Sequence, residues 1–185
     1  MYFKKEGPGN TAQALRMAAE EAKRRNIACI VAASTTGETA RQLAAEAGRA
    51  GYTGALVCVS HANGFAEKGK NEMTGAARAE LEALGVKVYT ATHVLSGAER
   101  AFSRKFQGAY PVEIMAHTLR MFGQGVKVCV EVSVMALDGG LLPYGQPVVA
   151  VGGTGSGADT AVILTPAHAN EILSARIHEI LCKPS

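Results

Sequence analysis

The sequence predicts an α/β fold in three layers, with helices on both faces of a mostly parallel sheet and an antiparallel edge. Short apolar runs alternate with helical patterns through the first two thirds of the chain, and that alternation is typical of parallel sheets. Alanine, glycine and valine dominate, while aromatic residues make up only 5% of the chain. That composition suits tightly packed α/β layers better than an all-β sandwich. A chain of 185 residues is expected to form one domain, spanning 1–185.

Helices and strands alternate regularly in the first half of the chain. Asn10 or Thr11 can cap a first helix whose apolar residues recur at helical spacing. The continuously apolar run at 27–33 fits a strand that is covered on both faces, and Gly85 is placed to end the third helix. The expected elements are a helix at 11–25, a strand at 27–33, a helix at 39–50, a strand at 54–60, a helix at 74–84 and a strand at 86–90.

The second half of the chain is less regular. Pro111 suits the first turn of a helix. Strict alternation at 126–135 favours a strand, yet the segment continues into a helix-like end, and a helix here keeps the β–α alternation; we predict a helix. The expected elements are a short helical piece at 98–105, helices at 111–122 and 126–135, and strands at 148–152, 160–164 and 175–183. The short turn between the late strands indicates the antiparallel edge.

The most informative motif is the polar turn between the first strand and the second helix, which reads STTGET at 34–39. Such a turn places free backbone N–H groups and a helix N-terminus at the carboxyl edge of a parallel sheet, where both favour anions. It is neither a Walker loop nor GxGxxG. Thr35 and Glu38 have capping-box spacing, so a helix cap alone explains part of the motif. The extra hydroxyls and Gly37 exceed that need, and the turn therefore predicts a phosphate-bearing ligand.

A second glycine-rich segment joins two late strands. It reads GGTGSG at 152–157, with four glycines in six residues. A flexible hairpin explains this composition, because glycine adopts positive φ at little steric cost. Close approach of the backbone to a ligand explains it as well, and Asp159 is then either a turn residue or an acceptor for a ligand hydroxyl.

Two histidines each follow the carboxyl end of a predicted strand. His61 and His93 are therefore expected to face the same crevice. Imidazole titrates near neutrality, so ligand contact and acid–base chemistry are both open, as is a loop histidine bonded to the backbone. A third metal ligand cannot be identified, and no metal site is predicted.

Other polar residues flank this crevice. The basic side chains at 100, 104 and 105 can clamp an anion or form one solvated helix face. The loop at 61–72 is too long for a simple connector and can act as a lid. Ser96 lacks the context of a nucleophile elbow, so a serine hydrolase is not predicted.

Composition excludes several classes of protein. The net charge is +3 and the basic residues are scattered, so we expect no nucleic-acid partner. Four widely spaced cysteines in apolar runs are typical of buried side chains in a reducing compartment. We see no signal peptide and no run long enough to span a membrane, and we expect a cytoplasmic protein.

Together the motifs resemble the C-terminal domain of pyruvate kinase and, more closely, a stand-alone prokaryotic family with that fold. The residues that carry the resemblance are STTGETA at 34–40, GKNEM at 69–73, ATHVLSG at 91–97, ERAFSRKF at 99–106, MFGQGVKV at 121–128 and VGGTG at 151–155. The resemblance implies a pyruvate kinase C-terminal-like α/β domain. The kinase's catalytic barrel is absent from this sequence, so pyruvate kinase activity is not expected.

The resemblance also implies a ligand. In the kinases this domain is a regulatory module whose hydroxyl-rich turn wraps a sugar phosphate opposite a glycine-rich loop, and some stand-alone members bind flavin mononucleotide (FMN). By that likeness the phosphate lies on the first turn and the second loop closes over the ligand. The two histidines, by their own position after the strands, are expected to surround the remainder. The binding residues predicted on these two grounds are Ser34, Thr35, Thr36, Gly37, Thr39, His61, His93, Gly153, Thr154, Gly155 and Gly157. A homo-oligomer is plausible by the same likeness.

The sequence thus supports binding of a phosphorylated small molecule, FMN or a sugar phosphate, at the carboxyl edge of the sheet. Two alternatives stay open. One is an enzyme of unknown reaction, flavin-dependent or not, that uses His61 or His93 as acid or base. The other is a regulatory or assembly subunit whose long loops face a partner protein.

Overall fold

A computed structural model describes residues 1–185, which form a seven-stranded sheet between two layers of helices. Two short 3₁₀ helices, Pro8–Asn10 and Ala169–Ser174, complete the regular structure. The elements are β1 (Tyr2–Phe3), α1 (Thr11–Arg24), β2 (Cys29–Ala33), α2 (Glu38–Ala50), β3 (Ala55–Ser60), α3 (Gly75–Ala83), β4 (Val86–Thr90), α4 (Glu99–Phe106), α5 (Pro111–Arg120), α6 (Gln124–Asp138), β5 (Val148–Gly152), β6 (Thr160–Thr165) and β7 (Arg176–Pro184).

The sheet is parallel at its centre and antiparallel towards one edge. The strand order is β1-β7-β6-β5-β2-β3-β4. Strands β5, β2, β3 and β4 run parallel, whereas β6 and β7 each pair antiparallel with the strand before them. The chain runs outward from β2 to β4 and then returns to β5 on the other side of β2. The strand order therefore reverses between β2 and β5, which is where ligands bind in open α/β sheets.

One face of the sheet is covered by α1, α2 and α3. Each helix presents a fully buried leucine to it: Leu15, Leu43 and Leu81 are at most 1% exposed. The predicted apolar stripe of α1 is buried, with alanines that let the helix approach the strands closely. This layer fixes the start of α2, and with it the turn that follows β2.

The opposite face is covered mainly by α6. Although its sequence alternates like a strand, residues 124–138 form a helix, as predicted. It is buried on nearly every side, with Val126 and Val134 fully enclosed between the sheet and its neighbours. Tertiary packing thus overrides the weak helix propensity of its valines.

Every predicted helix and strand is present, with bounds within three residues of those expected. The sequence did not indicate β1, whose two residues pair with the end of β7. The four cysteines are free and buried, as expected of small apolar side chains. No helix combines the length and apolar character needed to cross a membrane.

The capping box expected at the start of α2 is wrong. The N-cap is Gly37, and no side chain caps the helix from that position. The Glu38 carboxylate turns along the helix instead, accepting a hydrogen bond from Gln42 Nε2 at 2.8 Å and pairing with Arg41. Gly37 adopts positive φ. The Thr35 hydroxyl contacts His61, which follows β3, and does not cap its own helix.

Candidate functional site

Ser34 anchors the turn that follows β2 through two hydrogen bonds. Its N–H donates to the Val59 carbonyl at 3.0 Å, and its hydroxyl accepts from the Ala40 N–H at 3.3 Å. Gly37 has a φ of 100°, and a Cβ there would lie 3.3 Å from Leu81 Cδ1. The glycine is therefore required by the backbone and by the packing of α3.

Three successive amides of this turn have no partner in the protein. The N–H groups of Thr35, Thr36 and Gly37 donate to no backbone or side-chain acceptor. They lie at the N-terminus of α2, where the helix dipole adds a partial positive charge. Thr36 is exposed and Thr35 is half-buried, whereas Gly37 is buried, so an anion can reach the first two of these amides.

The glycine loop (residues 153–157) lies opposite this turn, beyond β5. Two of its glycines are required by contacts within the protein. A Cβ on Gly153 would lie 2.6 Å from the Gly157 carbonyl oxygen, and one on Gly157 would lie 2.4 Å from Thr11 Oγ1. Gly155 faces open space with a φ of 75°. Close backbone approach in this loop is thus to the protein itself.

Asp159 anchors the glycine loop. Its side chain is fully buried and accepts from the Gly7 N–H at 2.9 Å, the Thr154 N–H at 3.2 Å and the Thr160 hydroxyl at 2.8 Å. Of the two roles considered for this residue, the structure favours the turn residue, because its carboxylate is occupied by protein donors.

The turn and the glycine loop line one cleft of about 810 Å³, which we call the main cleft. Most of the binding residues implied by the sequence contribute to it. Gly37 and Thr154 do not line it, since the first is buried and the second bonds to Asp159. The implied residues that line it are Ser34, Thr35, Thr36, Thr39, His61, Gly153, Gly155 and Gly157.

The charged residues of the main cleft are both acidic. Glu38 and Glu72 line it, and neither lysine nor arginine does. Glu38 is paired with Arg41, which also reaches Glu80 at 2.7 Å. A hydrogen bond from Gln42 and the Arg41 guanidinium lower the pKa of Glu38 below its usual value. Attraction for an anion in this cleft therefore comes from amides and the helix dipole.

His61 is held between two elements. Its Nδ1 lies 2.8 Å from Glu72 Oε2, and its Nε2 lies 3.4 Å from Thr35 Oγ1. The sequence indicated neither contact, because Glu72 lies eleven residues away in an irregular loop. The only signal in the sequence was that a glutamate lies in the long loop that follows this histidine.

His93 lies beside His61, with ring centroids 5.1 Å apart, and Phe65 stacks on it at 4.9 Å. Burial lowers the pKa of His93 below its ordinary value, while the Glu131 carboxylate opposes this shift. His93 faces a smaller cavity rather than the main cleft.

That smaller cavity, which we call the inner pocket, has a volume of about 170 Å³ and adjoins the main cleft at Thr35 and His61. Its floor carries a buried ion pair between Lys127 and Glu131, both on α6. Glu131 also accepts from the Leu95 N–H at 3.0 Å. Sequence reasoning missed this pair, although two charges in an otherwise apolar segment were a signal for it.

The three basic residues of α4 that the sequence indicated lie in different surroundings. Arg100 lines the inner pocket, and Arg104 lines a neighbouring groove together with it. Lys105 instead lies over the ring of Phe106, 5.6 Å from its centroid. Ser96 lines the inner pocket beside Arg100.

The family model described as the pyruvate kinase alpha/beta domain matches residues 12–164. The match runs from α1 to β6 and so includes the turn, both histidines and the glycine loop.

Solved structures that this chain matches include pyruvate kinases of Cryptosporidium parvum. One is 18% identical over 76% of this chain and 20% of its own, with a TM-score of 0.39. A second, in complex with ADP, is 17% identical over 83% and 22%, with a TM-score of 0.42. A third is 15% identical over 94% and 23%, with a TM-score of 0.39. The chain thus spans about a fifth of the length of these proteins.

Proposed function

The chain belongs to the pyruvate kinase alpha/beta domain family, and on that premise we propose that it binds a phosphorylated small molecule in the main cleft. The observation that carries the proposal is the row of three unpartnered amides at Thr35, Thr36 and Gly37. Backbone N–H groups at a helix N-terminus are a general phosphate site. Here two of the residues that carry them, Thr35 and Thr36, line a cleft at the point where the strand order reverses.

The balance of charges supports a phosphate despite the two acidic residues. An exposed carboxylate repels a unit negative charge by about 1 kcal/mol at 4 Å in bulk water. Each hydrogen bond from an amide to a charged acceptor contributes about 1.5–3 kcal/mol. The two donors of residues that line the cleft outweigh the two carboxylates, since Glu38 is already paired with Arg41.

The remainder of the ligand would extend from the turn towards the glycine loop. Gly155 is open to the cleft, and the hydroxyl groups of Thr36, Thr39 and Ser156 offer further polar contacts. A volume of about 810 Å³ suits a molecule of the size of FMN or a sugar phosphate. FMN and a sugar phosphate are therefore the two ligand classes that we propose.

Calorimetry with ligand-stripped protein tests the proposal. FMN and a hexose phosphate are titrated beside riboflavin and the free hexose. Because the phosphate makes the charge-assisted bonds, we expect at least one phosphorylated probe to bind at least tenfold more tightly than its dephosphorylated form. Equal binding of both forms, or no heat from any probe, would contradict it.

A pair of variants locates the site. Thr36→Glu places a carboxylate beside the free amides, where it repels phosphate and competes for the donors; we expect affinity to fall about tenfold or more. Thr53→Glu makes the same change in charge at an exposed position before β3, at the opposite edge of the sheet, and should bind normally. Equal losses in both variants would place the ligand elsewhere.

A further inference from the structure

Three side chains at the edge of the main cleft form a hydroxyl–imidazole–carboxylate chain. Thr35 Oγ1 lies 3.4 Å from His61 Nε2, and His61 Nδ1 lies 2.8 Å from Glu72 Oε2. The His61 and Glu72 side chains are 33% and 32% exposed. The His61 and Glu72 side chains are thus open to solvent and to a substrate, and the imidazole is held by contacts at both of its nitrogens.

The proton positions follow from the partners. A carboxylate only accepts, so the bond to Glu72 places the imidazole hydrogen on Nδ1. Nε2 then carries the lone pair and can accept the hydroxyl proton of Thr35. A nucleophile, a base and a group that orients the base are therefore in the order that activates a hydroxyl.

Donors for an oxyanion lie beside the hydroxyl. Thr35 occupies the sharp passage from β2 into α2, and the amide that follows it, that of Thr36, is unpartnered and belongs to a residue that lines the main cleft. A nucleophile on a strand-to-helix turn, followed by a free amide that receives the oxyanion, is the geometry of an acyl-transfer site. The inner pocket beside it, lined in part by Val59, Val128 and Met135, offers space for a short acyl group.

We propose that Thr35, His61 and Glu72 catalyse the hydrolysis of short-chain carboxylic esters, an activity that does not depend on the ligand proposed above. Thr35 Oγ1 bonds to the carbonyl carbon as its proton passes to His61 Nε2, and the Thr36 amide holds the oxyanion. The bond from carbon to the leaving oxygen breaks, and His61 returns the proton to that oxygen. Water then attacks the acyl-threonine with His61 as base, releasing the carboxylic acid and restoring the Thr35 hydroxyl.

A covalent probe tests the nucleophile. A fluorophosphonate is attacked by an activated hydroxyl, which displaces fluoride and leaves a stable phosphonyl ester. We expect peptide mass spectrometry to find the adduct on Thr35, to find it on the serine of Thr35→Ser, and to find none in Thr35→Val. Labelling of another residue, or no labelling of the folded wild-type protein, overturns the proposal.

Kinetics with p-nitrophenyl acetate, butyrate and palmitate test the base and the pocket. We expect the two short esters to be hydrolysed and the palmitate to be excluded, with losses of about 100-fold or more in Thr35→Val and His61→Gln. Rates that survive Thr35→Val overturn the proposal. Circular dichroism of each variant separates lost chemistry from lost folding.

Glu72 is a positioning residue, and its test is the separation of kcat from KM together with rescue by a second carboxylate. We expect Glu72→Gln to lower kcat for the short esters with KM little changed, because the imidazole loses the group that orients it, and Glu72→Asp to recover part of the loss. A rise in KM at unchanged kcat, or no recovery in Glu72→Asp, contradicts the role.

His168 provides a matched control. Its Nδ1 lies 2.7 Å from Asp138 Oδ1, so it forms the same histidine–carboxylate pair, but Asp138 ends α6 at the opposite edge of the sheet. His168→Gln should leave ester hydrolysis unchanged.

Discussion

At the residue scale, Glu38 has opposite effects on the stability of α2 and on the binding of an anion. A carboxylate in the first turn of a helix stabilises the helix dipole, yet it lines the main cleft beside the amides proposed to bind phosphate. The residue is 55% exposed and paired with Arg41, so solvent and that guanidinium weaken its field. Stability and anion binding therefore place opposite demands on this position.

Neutralising Glu38 separates the two effects. We expect Glu38→Gln to bind the phosphorylated probe about two- to fivefold more tightly, since a repulsion of less than about 1 kcal/mol is removed. The same variant should lose about 0.3–1 kcal/mol of stability, because the dipole loses its counter-charge. Calorimetry and urea denaturation measure the two quantities.

The control is Glu82→Gln, which removes an exposed carboxylate near the end of α3, outside the main cleft. It should change neither affinity nor, beyond about 0.5 kcal/mol, stability. If Glu38→Gln binds more weakly than the wild type, the carboxylate contacts the ligand directly and the phosphate does not lie on these amides.

The sequence predicts sites made of adjacent residues better than contacts between residues that are far apart in the chain. The turn at 34–39 was readable because hydroxyls, a glycine and a helix start are adjacent in the chain. The His61–Glu72 contact was not, since the irregular loop between them has no period from which a distance follows. The Lys127–Glu131 pair could have been predicted, since a spacing of four residues places both charges on one face of the predicted helix, but the sequence does not show that this face is buried.

At the element scale, α6 carries that buried ion pair into the core. Both side chains are 7% exposed, and Glu131 also holds the Leu95 N–H of the segment that follows β4. Taking two charges out of water is costly, so such a pair is weak evidence for stability. Breaking the pair is expected to destabilise the protein strongly, because the remaining charge loses its partner in an environment that solvates it poorly.

The free energies of unfolding of a single and a double variant measure the cost of breaking the pair. We expect Lys127→Met to destabilise the protein by about 3–5 kcal/mol, and Lys127→Met combined with Glu131→Leu to recover part of the loss. Recovery is incomplete because the Leu95 N–H loses its acceptor, at about 1–3 kcal/mol. Chemical denaturation gives each free energy of unfolding, and Lys87→Met, at an exposed position of β4, is the control. A single variant as stable as the wild type would show that the pair is solvated in solution.

At the scale of the whole molecule, the main cleft joins parts of the chain that are far apart in sequence. The turn after β2 and the glycine loop after β5 meet because β5 inserts beside β2, while the start of α1 closes the cleft through Pro8, Gly9 and Thr11. Asp159 ties the glycine loop to the Gly7 N–H. A ligand that spans the cleft therefore contacts three segments whose relative positions only the folded sheet determines.

Hydrogen exchange tests whether one ligand engages all three segments. FMN at saturation should slow exchange most at the amides of 35–37, which have no acceptor in the free protein, and should also slow the glycine loop and the start of α1. Protection arises because exchange requires the bonded amide to open, and ligand binding adds its free energy to that opening. The exposed loop before β5, near Tyr144 and Gly145, is the internal control and should not change. Slowing confined to the turn would mean that the phosphate alone is held, and slowing in none of the three segments would place FMN outside this cleft.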